Sequence, residues 1–215
     1  MSNSIPLDPG YAPARRSPVG TIVTFVLAAW LLLVVTLAAR HTFDAQTGTP
    51  PLALLFAFAG PLLSFFAAYR LSDAFRSFVL ALDARVMVAM HAWRFAGFGF
   101  IALYAHSILP GYFAWPAGLG DMAIALAAPQ MIAALVRDPE FASSRKFVAW
   151  NLLGILDLFV AVSIGAVASI FLAGYSVVTP APMADLPLVL IPTFLVPLFL
   201  MMHFSMLLQA RRRAA

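Results

Sequence analysis

No cysteine occurs anywhere in the 215 residues. That removes disulfides, thiolate metal sites, iron–sulfur clusters and cysteine nucleophiles in one step. Charge is scarce too, at 10% of the chain against about 25% in soluble domains. The one lysine, Lys146, falls at the end of an apolar run, which excludes a retinal Schiff base within a membrane span. No glycine-rich phosphate loop, Ser–His–Asp order or paired-carboxylate motif is present, so enzymatic chemistry is left open. The formal charge of +4 does not point to nucleic acid. The basic residues are scattered, apart from Arg211, Arg212 and Arg213 at the end.

What the chain does have is apolar surface, with 63% hydrophobic residues. A soluble fold cannot hide that much, because over half of a folded protein's surface stays exposed. The solvent must be lipid. A bilayer core of about 30 Å needs about 20 apolar residues. Runs over 20–39, 51–69, 87–107, 118–136, 147–174 and 187–209 qualify. In lipid each backbone amide must be bonded within its own segment, so the expected fold is an all-α integral membrane protein with six transmembrane helices. They form one domain over 19–210, between a flexible proline-rich tail (1–18) and a basic tail (211–215). Arg15 and Arg16 precede the first run as in a signal peptide, but that run exceeds the 7–15 residues of a cleaved core and reads as a retained helix.

Arginine and lysine set the direction. Arg15, Arg16, Arg70, Arg76, Arg85, Arg137, Arg145, Lys146 and Arg211 to Arg213 fall on one side, and only Arg40 on the other. Both termini are therefore expected in the cytoplasm. Residues 70–86 read as a wet cytoplasmic loop. Residues 107–117 read as a segment lying in the outer interface, because Pro110, Gly111 and Pro116 break helix while Tyr112, Phe113 and Trp115 favour headgroups. Pro61, Pro129 and Pro197 recur at intervals of 68 residues, each in the second arm of a helix pair. That spacing suggests three pseudo-repeated helical hairpins, each kinked by proline.

A charge at mid-bilayer costs about 2.5–3.5 kcal/mol on insertion scales, so polar residues inside spans need a reason. His91 and Arg94 in the third span, Asn151 and Asp157 in the fifth, and His203 in the sixth share one depth, reckoned to be the inner leaflet. They are expected to converge, with Arg94 and Asp157 as partners. A structural ion pair would explain that pair as well as a binding site would. Asn151, next to Trp150 at a helix start, could equally be interfacial. His106 and Asp121 suggest a second, outer cluster, although Asp121 also suits the first turn of the fourth span. Ala161, Gly165 and Ser169, with Gly97 and Gly99, read as close-packing positions.

Three stretches carry a resemblance: Ala117-Gly118-Leu119-Gly120-Asp121, Trp150-Asn151-Leu152-Leu153-Gly154 with Asp157, and Ile191-Pro192-Thr193-Phe194-Leu195-Val196-Pro197 before His203. Across helices three to six the chain resembles bacterial inner-membrane proteins of about this length to which no activity is assigned. The resemblance implies a multi-pass protein of the bacterial inner membrane. The leading expectation is a polar pocket that binds or transports a small anionic ligand or protons. Arg94 would anchor the ligand, Asp157 and His91 would exchange protons, and Asn151 and His203 would orient it. The alternatives are a single-haem redox protein using His91 and His203, or a non-catalytic subunit of a larger membrane complex. The lipid bilayer is the one partner implied directly. Homo- or hetero-oligomers fit equally, and no metal site is expected.

Overall fold

The structure, a computed structural model, describes residues 18–44, 48–172 and 178–214. The expected N-terminal tail lies, up to residue 17, outside the described residues. Six helices are long and apolar enough to cross a membrane: Pro18–Ala39, Leu52–Leu71, Ala84–Ala105, Gly111–Arg137, Arg145–Phe171 and Ile191–Arg213. We label α1 (Pro18–Ala39), α2 (Leu52–Leu71), α3 (Asp73–Ala81), α4 (Ala84–Met90), α5 (Phe98–Ala105), α6 (Gly111–Arg137), α7 (Arg145–Phe171) and α8 (Val196–Ala214). A 3-10 stretch, His91–Gly97, joins α4 to α5 within the third crossing, and a π turn, Ile191–Leu195, opens the sixth. The protein is a polytopic, all-helical membrane protein. Arg211 to Arg213 form the last turn of α8 rather than a separate tail.

Two connections differ from expectation. Within 70–86 the chain forms α3 instead of a loop. Ser72 caps it by accepting from the Phe75 amide, and Asp73 supplies an acid in the first turn. Asp83 then caps α4 through the Arg85 amide, and the Arg85 guanidinium bonded to it holds its carboxyl below the usual value. The supposed interfacial segment 107–117 is helical from Gly111 onward. Pro110 is extended and its carbonyl accepts from the amides of Phe113 and Ala114, so the breaker starts the helix. Pro116 forgoes one bond inside α6. Phe113, Ala114 and Ala117 nevertheless bury against Phe100, Leu109 and Met183, which holds that turn in place. The fourth crossing therefore begins seven residues earlier than expected and puts Asp121 well inside the membrane.

The 3-10 stretch and the π turn both adjust helix phase. In 3-10 winding, side chains at i and i+3 eclipse. His91, Arg94 and Gly97 therefore stack on one face, and all three are buried. In the sixth crossing Pro192 and Pro197 cannot donate, and the Val196 amide bonds back to the Ile191 carbonyl five residues earlier.

The third to sixth crossings form the core, with α6 at its centre against the third crossing and α7, and α8 packed on α7. Helix α2 lies along α8, while α1 and α2 barely approach along their backbones. Helix α1 joins chiefly through Val34 and Ala38 and the tilted contact of Trp30 on Phe194 at 4.5 Å. Pro61, Pro129 and Pro197 do lie in the second, fourth and sixth crossings. Two apolar layers bracket the middle of the core. Met87, Val88, Ile124, Phe147, Trp150 and Met206 pack toward the termini, and Phe100, Phe113 and Met183 pack toward the opposite face.

At the terminal face the buried Gln209 amide donates to the carbonyls of Val79 and Leu82 at the end of α3, at 3.0 and 2.9 Å. Gln209→Leu leaves both carbonyls without that donor and should lower stability by about 1–3 kcal/mol. Thermal unfolding in lipid nanodiscs measures this, and an unchanged melting temperature would mean that α3 is not held through Gln209.

Candidate functional site

Arg94 occupies the middle of the third crossing and is 2% exposed. Its Nε donates to Asp121 Oδ1 of α6 at 2.6 Å, and its Nη2 donates to Asp157 Oδ2 of α7 in a short ion pair. Nη1 lies 3.2 Å from His203 Nε2 of α8 and 3.5 Å from the Gly154 carbonyl. One guanidinium thus ties four crossings together, and each of its nitrogens has a protein acceptor.

The bonds continue toward the termini and fix a tautomer. Arginine can only donate, so Nε2 of His203 accepts and its proton resides on Nδ1. Nδ1 faces Asn151 Oδ1 at 2.9 Å, and the Asn151 amide nitrogen donates to the Phe147 carbonyl at 2.9 Å. His203 is therefore neutral in this arrangement. His91 stacks on His203 with ring centroids 3.9 Å apart and an interplanar angle of 25°. Trp150 meets both imidazoles edge-on and donates its indole N–H to the Ile124 carbonyl. His91, Asn151 and His203 are fully buried, and neither ring nitrogen of His91 has a hydrogen-bond partner among the described residues.

Three glycines make this arrangement sterically feasible, each seating a polar side chain of the next crossing. A β-carbon on Gly97 would lie 2.5 Å from that of Asp121; one on Gly120 would collide with the Asp157 carboxylate, and one on Gly154 with the His203 ring. Side chains that must sit this deep need helices that approach closely, and glycine permits it.

A cavity of about 340 Å³ leads to the cluster from the face opposite the termini. Asp44, Thr179 and Asp185 line its mouth, Leu54, Phe113 and Ala161 its walls, and Asp121 and Asp157 its floor. Arg94 does not line it. Arg94 and Asp121 both border a smaller cavity, of about 140 Å³, between the third and sixth crossings.

A family model described as a domain of unknown function (DUF8737) matches residues 51–211. The chain belongs to this family. The matched DUF8737 region contains five crossings and every residue of the Arg94 cluster, while α1 lies outside it. Comparison with curated proteins and with solved structures finds no match.

Within the DUF8737 region, His91, Arg94, Asn151, Asp157 and His203 come together. Arg94, Asp157 and His203 lie near the midpoints of their crossings, and His91 and Asn151 lie nearer the terminal ends of theirs. The outer pair does not form. His106 is exposed at the end of α5, roughly 18 Å of helix rise from Arg94, whereas Asp121 joins Arg94. Asp121 is not in a first helical turn, because its helix starts at Gly111. Asn151 and Trp150 are core residues, not interfacial ones. A haem between His91 and His203 does not fit, since axial imidazoles must point nitrogens at one iron from opposite sides, and these rings lie face to face.

Removing one partner of a buried charge network leaves the others uncompensated, at about 3–5 kcal/mol. Arg94→Gln should destabilise the protein by that order in nanodisc thermal unfolding, and adding Asp157→Asn should recover part of the loss. Equal stability of Arg94→Gln and the parent would remove Arg94 from the centre of the fold. Gly154→Ala should likewise destabilise by more than about 1 kcal/mol through displacement of His203, whereas Gly165→Ala, whose β-carbon meets only Phe113 at 3.7 Å, should be nearly neutral. Similar melting temperatures for the two variants would contradict the seating role of Gly154.

Proposed function

We propose that this protein takes up protons, or a small cation, through the cavity and receives them at Asp121 and Asp157. The observation that carries this reading is which groups face the cavity: two carboxylates line its floor, while the guanidinium lies behind them. An anion arriving from the mouth would meet acids first and would find the Arg94 nitrogens already donating. Two ionised carboxylates against one guanidinium leave one negative charge, which a proton or monovalent cation balances. In a low-dielectric core that balance is worth far more than it would be in water.

Arg94 is then the internal countercharge rather than a ligand anchor. His203 and Asn151 orient the guanidinium from the terminal side. The apolar layer of Met87, Val88, Phe147 and Trp150 separates the cluster from that side, so the carboxylates are closed off from the terminal face. A site open to one side and sealed on the other is one state of an alternating-access cycle. The 3-10 stretch and the π turn are the irregular backbone segments beside the site where such a cycle would pivot. With the termini cytoplasmic, the orientation that the arginine distribution supports, the cavity would face outward.

The test is proton flux into proteoliposomes that enclose a pH-sensitive dye, driven by a potassium diffusion potential. The parent should exceed protein-free vesicles, and Asp157→Asn and Asp121→Asn should each lose most of the flux. His106→Ala, away from the site, should not change it. Parental flux in both aspartate variants, or a parent no faster than empty vesicles, would overturn the proposal. Melting temperatures identify any variant that has simply failed to fold.

A further inference from the structure

The mouth of the cavity holds a second group of side chains, separate from the buried cluster. His41 and Asp44 lie in the connection after α1, and Asp185 lies in the connection before the sixth crossing. They are far apart in sequence, yet one ligand atom from each lies within 4.8 Å of the others. His41 Nδ1 and Asp44 Oδ2 are 3.3 Å apart. Ligands about 2.0–2.2 Å from a tetrahedral ion stand roughly 3.4 Å from each other. The first pair is already at that spacing, and Asp185 offers a carboxylate oxygen within 4.8 Å of both.

Backbone bonds hold all three positions. His41 accepts from the Asp44 amide through its carbonyl, and its own amide bonds to the Ala38 carbonyl at the end of α1. The Asp185 amide bonds to the Pro182 carbonyl, and the Asp185 carbonyl receives the Val189 amide. His41 has φ 55°, which an L residue rarely adopts, and this turns the chain directly after α1. All three side chains are exposed, and Asp44 and Asp185 also line the cavity.

The structure assigns His41, Asp44 and Asp185 as a binding site for a divalent transition-metal ion of the zinc class at the mouth of the cavity. The donor set selects the class: an imidazole with two carboxylates suits borderline ions such as zinc, cobalt or manganese better than magnesium or calcium, which prefer oxygen alone. Three protein ligands leave a coordination position for water or an incoming group, the pattern of an exchangeable site rather than a structural one. A bound ion would cross-link the two connections over the opening, so its presence would control access to the carboxylates below. The site does not depend on what Asp121 and Asp157 receive. Nothing in the sequence brings residue 185 beside residue 41, so the three ligands do not show as a group there.

The test uses the full chain without a polyhistidine tag, in nanodiscs of neutral lipid, titrated with zinc chloride alone by calorimetry. One zinc ion per chain is expected, with affinity reduced at least about tenfold by His41→Ala and by Asp185→Asn, and no competition from excess magnesium. Cobalt should give a visible absorption band that His41→Ala abolishes. Asp121→Asn and Asp157→Asn should bind zinc as the parent does, which separates this site from the cavity floor. All three ligands are exposed, so the His41 and Asp185 variants should keep the parental melting temperature. Absence of zinc binding, or parental affinity in both His41→Ala and Asp185→Asn, would overturn the assignment. Loss confined to the Asp121 and Asp157 variants would place the ion on the floor and overturn it equally.

Discussion

The fold turns on one guanidinium that lipid cannot tolerate unpaired. Arg94 sits near the middle of its crossing and is 2% exposed. It must be neutralised from within, and the bundle does so by bringing an acid from α6, an acid from α7 and an imidazole from α8 to its three nitrogens. Four crossings are thereby fixed in rotation and depth. The 3-10 winding that aligns His91, Arg94 and Gly97 serves the same requirement, as does each glycine that lets a neighbouring polar side chain come close. The first crossing makes no such bond, packs loosely, and falls outside the DUF8737 match.

Much of this was legible in the sequence, for a specific reason. Apolar runs of about 20 residues have one interpretation in lipid, so the six crossings could be read from composition and length. Depth arithmetic could also pick out His91, Arg94, Asn151, Asp157 and His203, because a polar residue inside such a run is conspicuous. What failed was local. Pro110-Gly111 was read as a break when it is a start, and that moved Asp121 from mid-membrane to the outer end and created a false partnership with His106. A proline just ahead of an uncharged aromatic stretch is compatible with either reading, and only the burial of Phe113, Ala114 and Ala117 decides it. The glycines at 120 and 154 stood within the stretches noted for their resemblance, but which side chain each accommodates depends on helix rotation. The cavity and its mouth depend on two connections, which carry no periodicity to read.

The arrangement of charge also supports the cation proposed above over the anion expected from the sequence. A lone arginine among apolar helices suggests an anion site, and that inference holds only while its donors are free. Here each guanidinium nitrogen already meets a protein acceptor, and the groups that line the larger cavity are the acids. Polar groups at mouth and floor are alike carboxylate-rich, with small and apolar residues between them. On the proposed reading, a cation would meet favourable groups at both ends of the passage.

The central claim is that Asp121 and Asp157 are open to the cavity while sharing one buried countercharge. Infrared difference spectroscopy of the protein in nanodiscs, recorded as the pH is lowered, tests it most directly. A protonated-carboxyl band that shifts in deuterium oxide is expected, diminished in Asp121→Asn and in Asp157→Asn and abolished when both are replaced. A band that persists undiminished in the double variant, or a parent that shows none, would contradict it.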